Sequence, residues 1–89
     1  MVYLISYDLN KTGQDYKVLY DTIKNLGNNI WMHPLDSTWL IKSNLTAKQI
    51  YDKLKPIIDD NDLLFISEIT KNYSGWLQTD LWDYLKNMF

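Results

Sequence analysis

An α+β sandwich, a four-stranded antiparallel sheet carrying two helices, is the fold class this sequence predicts. Three observations point to it. Four short β-rich runs alternate with two stretches of helical spacing in the order β-α-β-β-α-β. One capping box marks a helix start. The whole chain is only 89 residues long, which is one domain's worth.

Met1–Asp8 is an apolar run with little alternation, as expected of a central strand covered on both faces or lying at an interface. The polar stretch Asn10-Lys11-Thr12-Gly13 follows it. Tyr16, Leu19, Tyr20, Ile23 and Leu26 then recur at helical spacing, and Gly27 stands where a C′ glycine would end the helix. Ile30–His33 and Thr38–Lys42 flank Pro34-Leu35-Asp36-Ser37, the pattern of a β-hairpin. The second helix starts at Thr46-Ala47-Lys48-Gln49, with Thr46 as N-cap, Gln49 at N3, and Leu45 and Ile50 placed as a hydrophobic staple. Pro56 should end or kink that helix, because proline lacks an N–H and clashes with the preceding turn. Asp59-Asp60-Asn61-Asp62 makes a polar turn, Leu63–Ile69 reads as a fourth strand, and Thr79–Phe89 as a further helix with Thr79 its cap. Right-handed crossovers leave few topologies for this order; the ferredoxin-like βαββαβ sandwich, sheet order 4-1-3-2, leads them. Residues 1–72 would form that unit. Residues 73–89 would be a helical extension of the same domain or part of a dimer interface.

Composition narrows the function classes. A chain this short buries only about 60–65% of its unfolded surface, so the core is thin. Four Trp, seven Tyr and two Phe offset that, and because such rings also favour interfaces they make a homodimer a reasonable expectation. There is no Cys, hence no disulfide framework and no thiol nucleophile. No run approaches the roughly 20 apolar residues that span a bilayer, and no leader-like segment opens the chain, so the expected setting is cytoplasmic with no membrane partner. The net charge is −2, and all nine basic residues are Lys. Without Arg there are no bidentate phosphate clamps or guanine contacts, which argues against sequence-specific DNA binding. A local site for RNA or DNA is still compatible with this charge.

The topology carries a spatial expectation. Strand 1 ends at Asp8, and strands 3 and 4, its antiparallel neighbours, begin at the same edge. That edge should gather Asp8, the hairpin with His33, Asp36 and Ser37, and the turn Asp59–Asp62. Carboxylate oxygens so placed suit Mg²⁺ or Mn²⁺, which could activate a bound water or clamp a transferring phosphoryl group. The plainer reading stands beside it: Asp and Asn favour turns, so Asp36 and Asp59–Asp62 are first of all turn residues. A lone His33 is first of all a polar hairpin residue. Trp31, Trp39, Trp76 and Trp82 are core and interface candidates, with Trp39 also a candidate for base stacking. Asp8 differs from these, since it ends an apolar strand that would hold it rigidly.

The opening Tyr3-Leu4-Ile5-Ser6-Tyr7-Asp8-Leu9, followed by Ser37-Thr38-Trp39-Leu40-Ile41 after the hairpin, resembles the superfamily of CRISPR-associated protein 2 and the virulence-associated protein D ribonucleases. The nearest likeness is to its short SinR-like orphan members. It covers residues 1 to about 70. The resemblance implies a homodimeric, metal-dependent endoribonuclease or nuclease, with Asp8 of each copy as catalytic metal ligand and Ser37 assisting. It equally allows a non-catalytic scaffolding module, with a protein partner captured through the C-terminal segment. Family members usually carry Arg after the Asp and along the first helix; here Asn10-Lys11-Thr12-Gly13-Gln14 follows.

Overall fold

The computed structural model describes residues 1–10 and 16–89. The stretch Lys11-Thr12-Gly13-Gln14, read above as a polar loop, lies outside the described residues. The elements are β1 (Val2–Asp8), α1 (Lys17–Leu26), β2 (Trp31–Leu35), β3 (Thr38–Lys42), α2 (Ala47–Leu54) with a 3₁₀ turn over Lys55–Ile57, β4 (Leu63–Ile69) and α3 (Thr79–Met88). The four strands form one antiparallel sheet in the order β2-β3-β1-β4, which counted from the β4 edge is 4-1-3-2. β1 therefore lies between β3 and β4, and its last residue, Asp8, pairs with Leu63.

Several local rules act where the residues suggest. Thr46 Oγ1 accepts from the Gln49 N–H (3.1 Å) while Gln49 Oε1 accepts from the Thr46 N–H (2.8 Å), closing both halves of the capping box. The α2 helix stops at Leu54, and Pro56 sits in the 3₁₀ turn that replaces its next turn.

Other details differ from expectation. Gly27 ends α1 but at an ordinary φ of −82°; the left-handed residues are Asn28 and Asn29, at φ 49° and 67°. Glycine is required at 27 by space instead, since a Cβ there would stand 2.8 Å from the Ile30 carbonyl oxygen and 3.1 Å from the Ile41 Cβ. β2 continues through Pro34 to Leu35, so the hairpin turn is only Asp36-Ser37. A register shift between Met32 and Leu35 absorbs the proline, which an edge strand tolerates. The α3 helix is preceded by Gln78 and has no side-chain cap; Thr79 is its first residue.

Because side chains alternate along a strand, the sheet has two distinct faces. Tyr3, Ile5, Tyr7, Trp39 and Ile41 point to the first, where Leu19 and Ile23 of α1 and Ile50 and Leu54 of α2 close over them. Val2, Met32 and Leu40 point to the second, where Leu85 and Met88 of α3 form a smaller core. Tyr73 stacks on Trp82 and Phe89 at the edge of that second core, centroids 6.4 and 5.9 Å apart. Among the described residues, no helix is long and apolar enough to cross a membrane.

Candidate functional site

The register determines what surrounds Asp8. Ser6 pairs with Thr38 on one side and Phe65 on the other, and Leu35 pairs with Thr38. Leu35, Thr38, Ser6 and Phe65 thus form one row across all four strands on the second face. The next row outward holds Asp8 and Leu63. The C-terminal segment packs over Leu4, Val2 and Ile69 further along the same strands, and its residues 73–77 line one groove with Leu35 and Thr38. Phe65 and Leu63 remain 66% and 63% exposed. Asp8 opens into a shallow cleft of about 220 Å³ lined by Ser6, Tyr7, Asp8, Leu63, Leu64 and Phe65. It is the one carboxylate in that lining. Beside it the Ser6 and Thr38 hydroxyls are hydrogen-bonded at 3.4 Å.

The edge does collect the elements expected there, but the sheet divides their side chains. The hairpin turn adjoins the end of β1, since the Tyr7 N–H donates to the Ser37 carbonyl at 3.1 Å. Ser37 is exposed and does not line the Asp8 cleft. His33 lies on the first face, stacked on Trp39 with centroids 3.9 Å apart, and its Nε2 bonds the Asp36 carbonyl oxygen at 3.0 Å. Trp39 itself is 2% exposed and donates from Nε1 to the Tyr7 hydroxyl at 3.0 Å, so it is core and offers no face to a base. Burial, against the lowering effect of the Trp39 hydrogen bond, pushes the Tyr7 phenol up to about 12.

The acidic turn is not merely solvated. Asp62 is buried, and its carboxylate accepts from the Asn10 N–H and the Asp59 N–H, both at 2.9 Å. The Asn10 side-chain amide also donates to the Asn61 carbonyl. Asp62 therefore staples the chain leaving β1 to the chain entering β4. That holds Asp8 in register, and Asp62 does so with the very oxygens a metal would need. Asp60 pairs with Lys55 at 3.4 Å. Among the described residues, no group of three or more His, Cys, Asp or Glu side chains is placed to hold a metal ion. Asp8 and the nearby hydroxyls do not by themselves make up the oxygen set that a hard divalent cation takes.

Ser6 and Thr38 escaped the sequence reading. Their signal was the i, i−2 relation of Ser6 to Asp8 together with the cross-strand pairing of Thr38, and only the register reveals the second. Compared with family models, with curated proteins and with solved structures, the chain matches none.

Proposed function

We propose that the chain is a homodimeric, metal-dependent ribonuclease or nuclease on a ferredoxin-like scaffold, akin to CRISPR-associated protein 2 and the virulence-associated protein D enzymes. The supporting observation is the position of Asp8, which ends the central strand and opens on the half of the second face that α3 leaves bare. Asp8 from each of two copies would hold Mg²⁺ or Mn²⁺, and the ion would supply an activated water for phosphodiester hydrolysis. The Ser6 and Thr38 hydroxyls stand nearest to orient that water or a phosphate oxygen. Ser37, outside the cleft of its own chain, is left a lesser, assisting part.

The test is cleavage of single-stranded RNA, with DNA in parallel, by purified protein with Mn²⁺, Mg²⁺ or chelator. Cleavage should need the metal and vanish in Asp8→Ala while the fold and the oligomeric state persist. Cleavage that survives in Asp8→Ala overturns the proposal.

A second reading has an observation of its own. Trp76 is 96% exposed on the segment between β4 and α3, and the chain has no Arg to grip a phosphate backbone. A non-catalytic dimeric module, anchoring a protein partner through that segment, uses these features without any chemistry at Asp8. Full-length protein that never cleaves but loses a partner in Trp76→Ala would favour it.

A further inference from the structure

Residues 73–77, in the irregular segment that joins β4 to α3, help to wall a groove of about 280 Å³ on the second face. Leu4 of β1 and Leu40 of β3, paired across the sheet, and Ile69 of β4 form its floor. Trp82 and Leu85 bring α3 to it, and Pro34 and Leu35 bring the end of β2. No residue of the lining carries a charge; its polar side-chain groups are hydroxyls and indole N–H groups. Tyr73, Leu77 and Trp82 pack against the sheet, yet Trp76, which also lines the groove, stays 96% exposed.

Size, charge and ring geometry each narrow what fits. An apolar cavity of about 150 Å³ takes up benzene, and pockets for drug-sized ligands run from about 300 Å³ upward. A hollow of about 280 Å³ lies between the two. The chain's own residues form part of the wall, so the space left is that of one small molecule and not of a partner helix about 10 Å across. An ion entering a lining without counter-charge would lose its hydration for nothing in return, so the match is an uncharged molecule. Tyr73 and Trp82 already stack on each other, their planes 13° apart. Among the described residues Trp76 meets no other ring, although an indole offers about 150–250 Å² for burial. A flat guest in the groove would give it that partner.

We infer that this groove binds a small, flat, uncharged aromatic molecule of about two fused rings, with the Trp76 indole closing against it. The site shares no residue with the Asp8 cleft, and it stands or falls apart from any nuclease activity.

Indole is the probe, with indole-3-acetate as its charged counterpart, and NMR of the isotope-labelled chain is the readout. Indole should cause saturable shifts of the Leu4, Leu40 and Ile69 methyls and of the Trp76 and Trp82 N–H signals, sparing Leu19 and Ile50 in the first core. Indole-3-acetate should bind at least about 10-fold more weakly. Trp76 and Leu35 are exposed, so Trp76→Ala and Leu35→Asp should leave circular dichroism unchanged. Each should weaken indole about 5-fold or more, the first by removing the stacking ring and the second by placing a charge in the lining. Asp8→Ala should bind indole like wild type. A folded wild type without saturable shifts at these positions, up to the solubility limit of indole, overturns the inference. So does a folded Trp76→Ala or Leu35→Asp that binds as tightly as wild type, or an indole-3-acetate that matches indole. If the same signals move on dilution of the protein alone, a second copy fills the groove and the inference also fails.

Discussion

The two faces of the sheet are built from the same four strands yet finished differently. On the first, α1 and α2 seal Tyr3, Ile5, Tyr7, Trp39 and Ile41 into a continuous core, every one of them buried. On the second, α3 and the segment before it cover Val2, Leu4, Met32, Leu40 and Ile69 and reach only the Leu35–Thr38 end of the Leu35–Thr38–Ser6–Phe65 row. One face thus stabilises the monomer throughout its area, while the other divides its area between stability and exposed surface. Asp8 lies on the bare part. A carboxylate on the sealed face would carry a desolvation cost; on the open half of the second face it keeps its water.

Mutations separate the faces by size of effect. Trp39→Ala should have the largest, about 3–5 kcal/mol, because it opens a cavity under both helices and leaves the buried Tyr7 hydroxyl without the Nε1–H that donates to it. Chemical denaturation measures it. Leu85→Ala removes a buried side chain from the smaller core and should cost about 2–3 kcal/mol, toward the low end because a terminal helix relaxes into the gap. Hydrogen exchange should show that loss concentrated in α3 and sparing α1; uniform loss would mean the two cores open as one unit. Thr46→Ala breaks the capping box and should cost about 1 kcal/mol, read in the same denaturation assay.

Alkaline pH gives the most specific signal. Tyr7 is held to about 12 against its ordinary 10.0. Its contribution is complete below pH 10, where the phenol is protonated in both states. It is lost as the pH climbs from 10 toward 12, because the unfolded chain ionises first. Tyr7→Phe should flatten stability across that window; an unchanged profile would place the titration elsewhere.

Local chemistry explains what was legible beforehand. Thr46 and Gln49 close a capping box within four residues, and Pro56 stops a helix by its own ring, so neither depends on distant contacts. Gly27 marked the right place for a different cause, a close approach to Ile30 and Ile41 that only the folded chain creates. The hairpin boundary shifted because the irregularity at Met32–Leu35 admits Pro34 into β2 and turns Leu35 to the second face. The site was legible as an edge and not as a face. Sequence order brings Asp8, His33, Ser37 and the Asp59–Asp62 turn to one end of the sheet, but pairing register decides that His33 stacks on Trp39 while Asp8 opens the other way. The use of Asp62 as a staple rests on a bond to Asn10, 52 residues away in sequence.

Paramagnetic broadening by Mn²⁺ in amide spectra of the isotope-labelled chain tests the metal role proposed for Asp8 without relying on turnover. Broadening should centre on Ser6, Asp8 and Leu63 in wild type and disappear in Asp8→Ala. Broadening centred on Asp59–Asp62, or an Asp8 amide left sharp at saturating Mn²⁺, would contradict it.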